Sequence, residues 1–140
     1  GFAIQAPGRP DAPELAGRSG AEEPRLDLRR ETWGGAQAGF RVYRDWLAIV
    51  NAFAVTRGLP VYITSTNTFA PDQATVPAQN YVRGWLTTAL DAINQEPQIQ
   101  SLCWFLDEDR SGDVRWDYFG LTLRRGRVID AAQEFEALLR

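Results

Sequence analysis

Three times along this chain a short apolar run is followed by a polar loop and then by a stretch whose apolar residues recur every three or four positions. No other feature constrains the fold as much. Continuous β-branched and aromatic residues suit a buried strand, whereas three- and four-residue spacing lines one face of a helix. The clearest strand is Leu59-Pro60-Val61-Tyr62-Ile63-Thr64-Ser65-Thr66. A shorter one, Phe2-Ala3-Ile4-Gln5-Ala6, is closed by the turn signal Pro7-Gly8, and a third over 99–106 is broken by the charged turn from Asp107 to Gly112. A helix is predicted over 39–56, with Phe40, Tyr43, Trp46, Leu47, Val50 and Phe53 on its apolar face and Gly58 and Pro60 ending it. A second carries Tyr81, Trp85, Leu86, Ala89, Leu90 and Ile93 and stops near Glu96-Pro97. The third, over 128–139, carries Val128, Ala131, Ala132, Phe135, Leu138 and Leu139. Residues 9–35 read as a long loop with at most a short helical turn, and 67–79 as a second polar loop.

This order calls for an α/β fold of parallel βα units, joined by right-handed crossovers with helices covering the sheet. Residues 1–140 are read as a single α/β region. An open three-layer α/β sheet and a partial (β/α)8 barrel both satisfy the pattern. The glycines of a phosphate-binding turn are missing after all three strands, which weakens a nucleotide-binding reading. Long loops after the strands favour the barrel, whose chemistry lies on that face. A full barrel takes roughly 250 residues, so the chain is read as part of one. Three parallel strands cannot close a barrel and would leave edges and apolar helix faces exposed. Self-association, or pairing with a missing N-terminal barrel half, is therefore expected. The opening Gly1-Phe2-Ala3-Ile4, without methionine, also leads us to expect sequence upstream.

Composition removes several classes of activity. There is no histidine, hence no Ser-His-Asp or Cys-His arrangement and no His-containing metal site. The single Cys103, inside Leu102-Cys103-Trp104-Phe105-Leu106, reads as a small buried thiol. A net charge of -3 and a pI near 5.0, with no stripe of arginine and aromatic residues, argue against nucleic acid. No apolar run approaches the roughly 20 residues that span a bilayer, so no membrane partner is expected and the piece reads as soluble. Nothing distinguishes an extracellular from a cytoplasmic location, and no cofactor is expected.

Two segments, Leu59-Pro60-Val61-Tyr62-Ile63-Thr64-Ser65-Thr66-Asn67 and Ser101-Leu102-Cys103-Trp104-Phe105, resemble strands seven and eight of the cellulase-like retaining glycoside hydrolases. On that resemblance Phe2-Ala3-Ile4-Gln5-Ala6 is similar to strand six, and Trp116-Asp117-Tyr118-Phe119-Gly120-Leu121 to the elements after strand eight. The resemblance implies a carbohydrate-related domain. It also implies a glutamate nucleophile where this chain has Ser65. Retaining hydrolysis needs two carboxylates about 5 Å apart, one as nucleophile and one as acid/base. The resemblance places the acid/base on strand four, outside these residues, so the chain alone would hold neither. Ser65 is read as native because Thr64-Ser65-Thr66-Asn67-Thr68 is a coherent polar start to a loop; an engineered replacement is the alternative. The functional alternative is a catalytically inactive module that binds carbohydrate or protein.

The same resemblance has Trp104 stacking on a sugar from the end of its strand, and gives Trp116 a similar role. A core tryptophan is the competing reading for Trp104. Gln5 and Asn67, at strand ends, have amides suited to vicinal sugar hydroxyls. Asp107, with Glu108 and Asp109, sits where a barrel displays its chemistry and could supply a carboxylate toward substrate, though a solvated loop is the plainer reading. Asp107-x-Asp109-x-Ser111-Gly112 echoes the start of a calcium loop, but its twelfth position is Tyr118 instead of glutamate, so no metal is expected. Ser65 itself has no base near it in sequence to make it a nucleophile.

Overall fold

The computed structural model describes residues 1–8, 23–68, 81–105, 120–122 and 126–140. Their fold is mixed α/β. Strand β1 (Phe2–Gln5) is followed by two short strands, β2 (Arg29–Arg30) and β3 (Ala36–Gln37), then by helix α1 (Val42–Ala52). Next come β4 (Val61–Thr66), α2 (Trp85–Ile93), β5 (Ile99–Trp104) and α3 (Val128–Leu138). The main sheet has the order β1-β4-β5 and both its pairs are parallel. Each strand thus lies beside the next long strand in the chain, and among the described residues each crossover carries one α-helix.

All three helices serve one face of that sheet. Ile4, Val61 and Ile63 form a continuous core with Tyr43, Leu47 and Val50 of α1, Leu86, Ala89 and Ile93 of α2, and Ala131 of α3. The intervening strand residues Ala3, Gln5, Tyr62, Thr64 and Cys103 are exposed, because successive side chains of a strand take opposite faces. The arrangement among the described residues is therefore two-layered, and the three-layer alternative is not formed by them. Cys103 correspondingly departs from the expectation of a buried thiol. Its apolar neighbours misled: Leu102 packs against the core while Cys103 faces the other way.

Helix α1 is shorter than its apolar pattern and differently turned. Tyr43, Leu47 and Val50 are buried, whereas Trp46 and Phe53, expected on the same face, are exposed. Three- and four-residue spacing admits more than one stripe when nearly every residue is apolar. After Ala52 the chain turns extended at Phe53, and the helix's last carbonyls find side-chain partners: Thr56 Oγ1 donates to the Val50 carbonyl at 2.6 Å and Arg57 Nε to that of Asn51 at 3.1 Å. Gly58, at φ 74°, completes this turn with its N–H on Asn51 Oδ1.

The expected loop over 9–35 is also more structured than its composition indicates. Arg29–Arg30 pairs antiparallel with Ala36–Gln37 around a 3-10 turn, Glu31–Trp33, with Gly34 and Gly35 both at positive φ. Gln37 anchors this hairpin: its Oε1 accepts the Leu28 N–H at 2.9 Å, its Nε2 donates to Asp27, and its own N–H reaches Asp45 of α1 at 2.6 Å. The Gln37 bond, with help from nearby arginines, outweighs desolvation and holds the Asp27 carboxyl below its usual range. Strands of two residues carry no periodicity, which is why the sequence does not announce them.

Candidate functional site at the carboxyl end of the sheet

A parallel sheet gathers the carboxyl ends of its strands at one end, where the loops that carry chemistry leave it. Here that end is formed by Gln5, Ala6 and Gly8 after β1, by residues 65–68 closing β4, and by Trp104 and Phe105 closing β5. Backbone bonds continue past the strands: Ala6 N–H to the Ser65 carbonyl at 3.0 Å, Gly8 N–H to that of Asn67 at 2.8 Å, and Phe105 N–H to that of Thr66 at 2.8 Å. Pairing runs Ile4–Ile63 and then Gln5–Ser65, so β4 has one residue, Thr64, with no counterpart on β1. A second irregularity separates Ile63–Leu102 from Thr66–Trp104. These shifts decide which side chains of Thr64-Ser65-Thr66-Asn67 are exposed and which are buried.

The structure brings Gln5 and Ser65 together as register partners, one exposed and one half-buried. Asn67 is at the same end but fully buried. Its Nδ2 donates to the Phe105 carbonyl and its Oδ1 accepts the Thr68 N–H at 2.7 Å, so its amide ties β4 to β5 instead of facing outward. Trp104 also lies on the helix-covered side. It meets the buried Tyr81 edge-on, with centroids 5.8 Å apart and planes at 74°. Leu102 and Trp104 share that side by the two-residue period of a strand, and Cys103 between them is the exposed one. Trp116 and Asp107, with Glu108 and Asp109, lie outside the described residues. The described strand ends contain no carboxylate. Among the described residues, no group of three or more Cys, Asp and Glu side chains is placed to hold a metal ion.

Sequence reasoning missed Gly8, Thr68 and Trp85. Gly8 bridges to Thr68 and lies directly under the Trp85 indole: a Cβ built on Gly8 would stand 2.5 Å from Trp85 Cζ2 and 3.2 Å from Cε2. The glycine is required for that close approach. Trp85 packs on Phe40 at 5.3 Å and on Tyr81 at 6.5 Å. Among the described residues, neither Trp85 Nε1 nor Thr68 Oγ1, both buried, has a hydrogen-bond partner. Buried polar groups are nearly always satisfied, so this donor and this hydroxyl are exceptions at a tightly packed junction. Pro7-Gly8 is visible in sequence as a turn; the tryptophan that demands the glycine is 77 positions away.

Tyr81 and Glu134 are a second missed pair, and they hold the start of α2. Its N-cap, Gly84, has no side chain with which to cap. Glu134 of α3 substitutes, accepting the Gly84 N–H at 3.0 Å, the Thr87 N–H at 2.8 Å and the Thr87 hydroxyl. Tyr81 accepts the Leu86 N–H at 3.1 Å and donates its own hydroxyl to Glu134. Burial works to raise the Glu134 pKa, but the bonds from Thr87, Tyr81 and Gly84 outweigh it and hold the carboxyl below its ordinary value. Burial, reinforced by the bond to Glu134, pushes the Tyr81 phenol strongly upward. Arg83 fixes the same junction through Asp130 at 2.7 Å, and Arg127 through the Tyr81 carbonyl at 3.2 Å. This is a helix-capping assembly with every ionisable member engaged.

The described residues thus form a three-stranded parallel sheet with three helices on one face, beside the small β2–β3 hairpin. No family model, curated protein or solved structure matches the chain.

Proposed function

We propose that this chain is a glycoside-hydrolase-like domain, equivalent to strands six to eight of a (β/α)8 barrel with their helices, and that it takes an oligosaccharide or polysaccharide at the carboxyl end of its sheet. The observation that carries this reading is the pairing of β1, β4 and β5 in chain order with all helices on one face. A barrel wall is built in this way, with its helix-free face toward the barrel interior and its carboxyl strand ends turned to ligand. The resemblance of the β4 and β5 segments to strands seven and eight adds the carbohydrate class. Gln5 and Ser65, side by side, offer an amide and a hydroxyl of the kind that matches vicinal sugar hydroxyls. Trp116 and Asp107 complete the candidate set from the segment after β5.

Hydrolysis of O-glycosyl bonds needs two carboxylates about 5 Å apart, and the described strand ends contribute none. Cleavage therefore belongs to this domain only where other barrel strands supply both. The serine at position 65 favours a second reading, a catalytically inactive module that binds carbohydrate or protein. Titration calorimetry of the folded chain against cello-, xylo- and manno-oligosaccharides, with a reducing-sugar assay alongside, tests both. Heat and a tryptophan fluorescence change without new reducing ends are expected, with binding weakened several-fold, about 1 kcal/mol, in Gln5→Ala. Absence of heat with every sugar would remove the carbohydrate reading and leave protein binding. Reducing ends released by the pure chain would overturn the assignment of hydrolysis to other strands.

A further inference from the structure

Helix α1 is apolar on both sides. Its inner stripe, Tyr43, Leu47 and Val50, is in the core. Its outer side carries Trp46 at 42% exposure and Ile49 at 55%, and just past its end stand Phe53 at 63% and Val55 at 85%. The other exposed positions between Arg44 and Arg57 are alanines, and the one charge within that length, Asp45, is half-buried and turned to the Gln37 N–H. A helix facing water on one side ordinarily places charged and polar residues there; one that is apolar all round is covered all round. Large rings and a branched aliphatic chain at spacing three and seven form a contiguous stripe, unlike single apolar residues scattered on a surface.

What lies next to this stripe narrows its partner. Helix α1 packs against β1, which is an edge of the sheet, and among the described residues nothing pairs with the outer side of β1. The sheet and the helix layer thus both stop on the same side of the molecule. An occupant that satisfies both presents a strand edge and, above it, an uncharged apolar stripe. This same surface on a second copy does so. In a two-fold contact each residue lies near its own counterpart, so any charge in the patch would meet a like charge; this patch has none.

We propose that two copies of this chain associate through α1 and the free edge of β1 in a two-fold dimer. The α1 stripes pack on one another through Trp46, Ile49 and Phe53, and the two β1 edges pair antiparallel, joining two three-stranded sheets into one. The contact is closed, so it stops at two copies.

Light scattering on a sizing column and sedimentation velocity over a dilution series test this. The expected mass is twice 15.7 kDa, falling toward the monomer on dilution. Trp46→Glu and Ala52→Arg place a charge in the stripe at exposed positions and are expected to weaken the dimer about a hundredfold. Val55→Glu, beyond the helix, is expected to act in the same direction without touching helix formation. Circular dichroism and urea unfolding verify that each variant folds as the parent does. A parent chain that is monomeric at the highest concentration overturns the proposal, as does a dimer indifferent to all three charges. The inference does not depend on carbohydrate: a monomer that still gives heat with oligosaccharide removes only the dimer, and a charge-sensitive dimer without heat removes only the sugar reading.

Discussion

Gly8 shows how narrowly one position is determined. The Trp85 ring occupies the place a Cβ would take, and the ring is itself held by Phe40 and Tyr81, so it has little freedom to withdraw. Gly8→Ala is expected to destabilise the fold by about 1–3 kcal/mol, read as a lower urea midpoint with an unchanged slope. Trp85→Leu should recover part of the loss in the double variant, because the clashing carbon is gone. Residue by residue, legibility in the sequence followed backbone placement. Gln5 and Ser65 were found at strand ends because strand ends are marked by turns and polar runs. That Asn67 folds its amide onto Phe105 depends on irregular register between β4 and β5, which leaves no trace in composition; that Trp104 turns to the helices follows from the regular alternation it shares with Leu102, once Leu102 is known to face the core. Asn67→Ala is likewise expected to lower stability by about 1–3 kcal/mol, because it removes the amide oxygen that accepts the buried Thr68 N–H. A residue that only binds ligand would change affinity and leave the urea midpoint in place.

At the scale of elements, the junction of α2 and α3 depends on an interaction that the helices' own sequences lack. Gly84 cannot cap α2, so Glu134, from another helix fifty positions later, accepts its first donors. Removing that carboxylate in Glu134→Ala is expected to cost about 2 kcal/mol, with Tyr81 left without its acceptor. The pH dependence has a definite sign. Because the folded-state pKa of Glu134 lies below the ordinary 4.5, its contribution is fully present above that value and is lost as pH falls through the lowered one. Urea midpoints followed from neutral to acid should drop more steeply in the parent than in Glu134→Gln. Helix and strand existence was readable from period and from turn residues such as Gly58 and Pro60. The turn of α1 about its axis was not, since a helix rich in alanine, valine and aromatic residues offers two apolar stripes and the pattern does not choose between them.

At the scale of the molecule, the chain-order sheet follows from the threefold strand, loop and helix pattern, and the two-layer outcome from each strand alternating buried and exposed side chains. The hairpin of β2 and β3 was illegible because its pairing rests on Gln37 and two glycines, not on any run of strand-forming residues. The bare face of the sheet also has a chemical address. Cys103, the chain's one thiol, lies on it. A maleimide should therefore alkylate the native protein nearly as fast as the urea-unfolded one, and should continue to do so in a dimer joined at β1, which leaves that face uncovered. Further barrel strands curling over the same face would bury the sulfur and slow the reaction by orders of magnitude. The alkylation rate of one atom thus separates the two ways in which this half-walled sheet can be completed.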